Sequence, residues 1–533
     1  MKRPFRGLRR RGPAERYDAV VIGAGVGGLV CANLLALEGL KVLLVEQHYM
    51  VGGYTSTFRR AGYTFDAATH FYPLLGNPDT LTGKVLGKIG CRTGWVAMDP
   101  VDTFHFPDGS RFEVPADLET YRARLDEEFP HQREALDGFF AEVQKAYLRG
   151  LMVYFKGRDE ALLGDLNEQS ITDALERHIA DPKLRLLLTA DCPHWGSAPS
   201  RTSFVFDSML RLSYFLGNFY PQGGSQAFAD DLARCFEERG GDILMSTAAD
   251  RIEIEGGRVA GVQLTTDRGW LKGEHRVATE VVVSNADLRH TYGDLLPSEV
   301  VPPETTATLN ELRPSYPCFL VHIGLKGVDP KQLEQAQGYY WRHWDPDRVG
   351  QDGLICKVFV PTLYEPAMAP EGGQIVILQK VQELDWKSVE DWPRHKKRVE
   401  AGMFAQLEEV VPGIADHVVV KTAASARTSW RFTRNTVGAM LGWEMAPDQL
   451  GSDRPGIEGP VPGMFCVGHW VRPGGGITPV IVSAERVAER VVKEVGALSR
   501  SGGTVQAELG AVQPPAAVPA TGSRNVLEGG PSE

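Results

Sequence analysis

The chain has 533 residues, 43% of them hydrophobic and 23% charged, with a formal net charge of -11. That length exceeds what one hydrophobic core fills and predicts two or three domains. The acidic balance excludes a general nucleic-acid binder, and no apolar run reaches the length of a membrane-spanning helix. At the start, Lys2, Arg3, Arg6, Arg9, Arg10, Arg11 and Arg16 crowd together with Glu15 as the one acid among them. This stretch lacks the apolar core of a secretory signal, which predicts a protein that is not exported. It reads either as a solvated, disordered tail over 1–16 or as an arm that meets anionic lipid headgroups.

The folded part opens on Asp18-Ala19-Val20-Val21-Ile22-Gly23-Ala24-Gly25-Val26-Gly27-Gly28, and Lys41-Val42-Leu43-Leu44-Val45-Glu46 follows. An apolar strand, a glycine loop, a small-residue helix, a second apolar strand and a terminal acid make a dinucleotide-binding βαβ unit. Gly23 permits the tight turn, Gly25 lets backbone approach a pyrophosphate, and Gly28 lets the helix pack close to the strand. The helix N-terminus offers unpaired N–H groups and a positive dipole end to phosphate. Glu46 comes where a carboxylate accepts hydrogen bonds from ribose hydroxyls.

Next come Gln47-His48, the double glycine Gly52-Gly53, and a short strand predicted over Tyr63 to Asp66, before His70. Residues 78–218 are weakly patterned and predicted to be mostly helical. Within them Phe140, Val143, Tyr147, Leu151 and Tyr154 recur at helical spacing, with Lys145, Arg149, Lys156 and Arg158 nearby. They read as a buried helix face or as a basic amphipathic element that dips into a membrane surface. Regular patterning returns over 219–301, with a helix predicted from Gln226 to Arg239 and strands from Asp242 to Ser246, Arg251 to Glu255 and Arg258 to Thr265. The run Val281-Val282-Val283-Ser284-Asn285-Ala286-Asp287 closes that block. Residues 302–424 are less patterned, with strand-like runs from Cys318 to Leu325 and Gln374 to Leu378. In 425–498, a buried-type strand Gly463-Met464-Phe465-Cys466-Val467-Gly468 leads into His469-Trp470-Val471-Arg472-Pro473-Gly474-Gly475-Gly476 and a helix from about Thr478 to Val495. The Gly-, Pro- and Ala-rich stretch 499–533 is predicted to be disordered. The seven cysteines are scattered without a CxxC pair, which predicts reduced intracellular thiols and no metal.

From about Tyr17 to Val495 the chain resembles the phytoene desaturase, carotenoid isomerase and retinol saturase group of FAD-dependent oxidoreductases. Four blocks carry the resemblance: the βαβ unit; Glu46-Gln47-His48 through His70; Tyr220-Pro221-Gln222-Gly223-Gly224 with Gly257-Arg258-Val259; and Gly468 through Ser483. Glu46-Gln47-His48 and His70 are closer to the saturase and isomerase branch, and Arg472-Pro473-Gly474-Gly475-Gly476-Ile477 to bacterial desaturases. Tyr54 after the double glycine and His469 after the last strand depart from many relatives. The resemblance implies an α/β (α+β overall) architecture. A Rossmann-like FAD-binding domain, built from 17–77, 219–301 and 425–498, would be interrupted twice by a substrate domain, 78–218 and 302–424. It implies FAD held by Gly23, Gly25, Gly27, Gly28, Glu46, Gln47, Gly52, Gly53, Ala249, Gly468, Gly475, Gly476 and Ile477.

The implied activity is desaturation of a carotenoid or related polyene, drawn from the inner face of a membrane by a cytoplasmic, peripheral protein. Oxygen or a quinone would take the electrons. Such chemistry needs little from side chains, which agrees with the lack of any Ser-His-Asp, Cys-His or paired-carboxylate pattern. His70, His469 and Arg472 are the candidates beside the flavin. Each histidine reads as a hydrogen-bonded structural group or a proton carrier. Arg472 reads as a charge favouring reduced flavin or as a surface ion pair. Among Phe204, Phe206, Tyr214, Phe215, Phe219 and Tyr220, a subset is expected to line an apolar tunnel. The alternatives are a reduced-flavin cis–trans isomerase or a saturase. From other classes come an amine-oxidase-like enzyme and a non-catalytic flavin- or carotenoid-binding protein.

Overall fold

The computed structural model describes residues 12–501 apart from 268, 270 and 352–354. Ala19 to Ile22 are wholly apolar and buried, and form β1 (Ala19–Ile22) in the middle of a five-stranded sheet. β2 (Val42–Glu46) flanks it on one side and Val282–Ser284 on the other; Asp242–Met245 and Met464–Cys466 are the outer strands. Every pairing is parallel. Strands covered on both faces need continuous apolar runs, and alternate residues serve opposite layers. Ala19 and Val21 pack with α1 (Val26–Leu37) and the helices Ser225–Glu238 and Ile477–Ser501. Val20 and Ile22 pack with an antiparallel three-stranded sheet, Thr247–Glu255, Arg258–Thr266 and Gly273–Ala278.

A second, seven-stranded sheet runs in the order Val418–Ala424, Cys318–Lys326, Gly373–Val381, Ile355–Phe359, Gly338–Trp341, Asp102–His105, Arg111–Val114. It is antiparallel except between Gly338–Trp341 and Asp102–His105. Period-two alternation again divides its residues. Phe319, Val321, Ile323, Val376 and Leu378 face the helix Trp392–Val410. Leu320, His322 and Gln379 lie on the opposite face, toward a large cavity.

The predicted strand Tyr63–Asp66 is present, and the predicted helix near Gln226 spans Ser225–Glu238. The last helix is longer than expected and reaches Ser501, past the predicted start of the tail at 499. Residues 1–11 and 502–533 lie outside the described residues, and with them most of both predicted tails. The stretch 78–218 is less purely helical than predicted. It supplies Trp95–Ala97, Asp102–His105 and Arg111–Val114, strands of three or four residues with mixed polarity, too short for alternation to register.

Candidate functional site

One cavity of about 1520 Å³ runs between the two sheets, lined by both. Single small-ligand sites span about 300–1,000 Å³, so this space suits a cofactor and an extended second molecule together.

The cofactor half is built from main chain at the C-terminal edge of the parallel sheet, where open α/β sheets bind ligands. Gly23 adopts φ +93°, which turns β1 into α1. A Cβ on Gly28 would lie 2.0 Å from Gly23 O, so this glycine sets the helix-to-strand distance and does not reach the cavity. Gly25, Val26 and Gly27 line the cavity at the start of α1, where no side chain caps the helix and no acid occupies the first turn. That leaves free N–H groups and a positive dipole end facing open space. Glu46 ends β2 beside them, its carboxylate accepting from Ala24 N at 2.8 Å and His48 N at 2.7 Å. Burial pushes its pKa up, and the backbone donors pull the other way. These donors fix the carboxylate's orientation and leave lone pairs for hydroxyl groups.

Gln47, Gly52, Gly53 and Ala249 also line the cavity, as do Gly468, Gly475, Gly476 and Ile477. Gly52 and Gly53 have φ +115° and +57°, and Gly468 and Gly476 have φ +104° and +98°, conformations glycine adopts without strain. Asn285, expected only as part of the run that closes a strand and not as a site residue, stands between the two glycine loops. A Cβ on Gly27 or on Gly468 would meet its Oδ1 at 2.6 Å, and one on Gly25 its Nδ2 at 3.0 Å. The readable signal was a polar residue directly after an apolar strand, at the ligand-binding edge of the sheet. An uncapped helix N-terminus, an oriented carboxylate and side-chain-free backbone fit the pyrophosphate, ribose and ring of FAD.

Of the candidates beside the flavin, His70 and His469 line the cavity, and Arg472 does not. Arg472 is half-buried, with its backbone N–H donating to Pro455 O at 3.0 Å. Gly475 and Gly476 take the cavity side of that loop. The buried cation behind the loop is instead Arg454, whose guanidinium donates to His469 O at 2.8 Å and whose carbon is 3.5 Å from a Cβ on Gly474. Burial lowers its pKa to about 9. Burial, with Arg454 near by, lowers His469 to about 3, and burial with Lys357 near by takes His70 well below its usual value; both rings are neutral.

The other half of the cavity is apolar. Tyr147, Leu151, Tyr154 and Phe155 line it from the helix Arg133–Gly150 and the wider π turn Leu151–Phe155 that continues it. Phe140 and Val143, from the same predicted stripe, are buried in the core. Phe206 and Tyr214 line the cavity, whereas Phe204 and Phe215 pack in the core beside it. Tyr220 donates to the Asp66 carboxylate, and Phe219 fills the space beside Gly76 and Gly217. Lining residues drawn from 147–216 include no Asp or Glu, and those from 318–424 include Asp385 beside Lys387. Among the described residues, no cluster of three metal-ligating side chains exists, and no helix is long and apolar enough to cross a membrane.

The chain is 27% identical over 511 residues to prolycopene isomerase 2 from an Oncidium hybrid cultivar, covering 91% of this chain and 85% of that one. It is 26% identical to the lycopene-forming phytoene desaturase of Pantoea ananas, covering 89% and 99%. With the all-trans-retinol 13,14-reductase of Rattus norvegicus it shares 28% over 67% of this chain and 61% of that one. Among solved structures, putrescine oxidase bound to putrescine has the same fold, with a TM-score of 0.63 at 15% identity, covering 90% and 100%. The pattern of the flavin-containing amine oxidoreductases matches residues 26–492, and the chain belongs to that family.

Proposed function

We propose that this protein is an FAD-dependent oxidoreductase acting on carbon–carbon bonds of a carotenoid or related polyene, by dehydrogenation of the phytoene desaturase type. One observation carries the reading: a glycine-lined nucleotide cradle opens directly into an apolar, aromatic space within a single cavity. Hydride exchange with carbon–carbon bonds is the chemistry FAD supplies when bound. The parallel sheet and its helices would form a Rossmann-like domain from 17–77, 219–301 and 425–498, with the substrate domain inserted as 78–218 and 302–424.

In this reading the start of α1 holds the pyrophosphate, Glu46 the ribose, backbone at Ala249 the adenine, and Gly475 to Ile477 the ribityl–flavin end. Asn285 keeps the two glycine loops in register. His70 is the residue that touches substrate. His469 is a neutral neighbour of the ring, and Arg454, not Arg472, is the nearby buried charge.

The aromatic wall drawn from 147–216 carries no Asp or Glu, which argues against an amine, whose ammonium group would be buried against it without a carboxylate. Isomerisation or saturation would use the same cavity, and relatives with those names match this chain at 26–28% identity, as the desaturases do. Delivery from a membrane is supported at the helix that lines the apolar half. Leu148 is 53% exposed, Met152 41% and Leu216 46%, beside Lys145, Arg149 and Lys156. The location that follows is the cytoplasmic face of a membrane, with oxygen or a quinone as electron acceptor.

The test is anaerobic incubation of holoprotein with phytoene, lycopene isomers and retinol in liposomes, following flavin absorbance and polyene spectra. Desaturation bleaches the flavin while lengthening the chromophore. Isomerisation changes the polyene spectrum with no net flavin change. Protein that emerges colourless and takes up no FAD refutes the reading.

A further inference from the structure

Where the loop after Tyr63–Asp66 packs on the cavity face of the seven-stranded sheet, His70 stacking on Phe359, buried polar atoms lack well-formed hydrogen bonds. His70 is 4% exposed, its ring nitrogens make no well-formed hydrogen bond, and Gln379 is the side chain close enough to interact with them. Gln379 is 7% exposed; its Nε2 donates to Cys318 Sγ at 3.2 Å, and its Oε1 has no partner. Strand register explains the placement: Gln379 pairs across the sheet with Leu320 on one side and Lys357 on the other. Lys357 is itself spoken for. Its Nζ lies 2.8 Å from the Asp102 carboxylate and 3.4 Å from Nε2 of His194, which lines the same cavity.

The free groups are therefore uncharged. A neutral imidazole offers one donor and one acceptor, and an amide oxygen offers a second acceptor. A hydrocarbon resting here would seal these groups from water with no pairing beyond that between His70 and Gln379, leaving at least one imidazole nitrogen unmatched. An unpaired group of this kind weakens binding by roughly 5- to 100-fold. A carboxylate gains little, because Lys357, the cation behind the wall, is already matched by Asp102.

We propose that His70 and Gln379 form a polar notch that recognises an uncharged oxygen function, a hydroxyl or a carbonyl, so that the preferred substrate is an oxygenated isoprenoid. The inference rests on the polyene reading above and adds to it a specificity that a smooth apolar tunnel would lack.

The experiment titrates holoprotein with lycopene, its monohydroxylated derivative and a carboxylated derivative of matched length, each carried in neutral phosphatidylcholine vesicles. Tryptophan quenching reports binding, and flavin content is measured in parallel. The alcohol is expected to bind at least about tenfold more tightly than the hydrocarbon or the acid. Gln379→Met and His70→Phe should each remove most of that gap, and Gln379→Met should do so without weakening hydrocarbon binding. Equal binding of alcohol and hydrocarbon, or a gap that survives both substitutions, overturns the inference and leaves the polyene reading standing. If His70→Phe lowers flavin content instead, the histidine serves the cofactor and the notch is refuted. Binding of no polyene at all would bring down both.

Discussion

The two sheets grip their ligands in different ways. The parallel sheet offers backbone: glycines at Gly23, Gly25, Gly52, Gly53, Gly468 and Gly476, an uncapped helix end, and a single oriented acid. The antiparallel sheet offers side chains, His322 and Gln379 beside Leu320, over a buried ion pair between Lys357 and Asp102. A common cofactor is held through main-chain groups that every sequence possesses, provided no Cβ intervenes. A particular substrate must be met by chosen side chains. The first region is therefore intolerant of added atoms, and the second of unmatched polarity.

Substitutions that add atoms test the first half of this contrast and have the largest expected effect. Gly25→Val places branched carbons at the cavity edge and against Asn285 Nδ2, 3.0 Å from its Cβ. It is expected to abolish FAD retention, read as flavin absorbance per chain, with far-UV circular dichroism near that of the parent. Removing charge tests the second half. Lys357→Met strands a buried carboxylate and should cost about 3–5 kcal/mol in urea unfolding. The double variant Lys357→Met with Asp102→Leu should recover most of that loss; no recovery would mean that the two charges are not a matched pair.

Acid probes both halves through histidines that are neutral when folded. Burial holds His322 at about 4 and His469 at about 3, against 6.5 for the free side chain. The unfolded chain binds these protons first, so the stability they confer is complete above about pH 6.5 and falls as pH drops toward 4. Each group is expected to contribute up to about 1.4 kcal/mol per pH unit in that window. A flat stability profile between pH 6.5 and 4.5 would contradict this.

Smaller effects sharpen the comparison. His70→Ala is expected to slow turnover more than it weakens FAD binding, and equal turnover in mutant and parent would dismiss its role. Leu148→Glu with Met152→Glu, on the exposed side of the lining helix, should change folding stability by about 0.5 kcal/mol or less per site while reducing co-sedimentation with vesicles.

The cofactor half was readable in the sequence because its signals are local. Strand, glycine loop, helix and acid fall within 19–46, and each glycine marks a backbone constraint. Gly23, with its positive φ, and Gly28, pressed on Gly23 O, illustrate this. The substrate half was scarcely readable. Its polar notch joins His70, in the loop after Tyr63–Asp66, to Gln379 on a strand of the second sheet, and no spacing rule links residues so far apart. Short strands such as Gly338–Trp341 and Asp102–His105 carry too few residues for alternation to show. That Arg472 lies off the cavity lining was unreadable for a related reason: charge is visible in a sequence, but the side of a loop it occupies is not.

The sheet order also bears on synthesis. The strand Met464–Cys466 pairs with Val282–Ser284, which in turn pairs with β1, so residues from the last fifth of the chain complete what the first fifty begin. A ribosome that has translated residues 1–424 has still not made Gly468 or Gly475. The cradle can therefore close only late in synthesis, and until the strand Met464–Cys466 is made the edge of the parallel sheet at Val282–Ser284 stays unpaired.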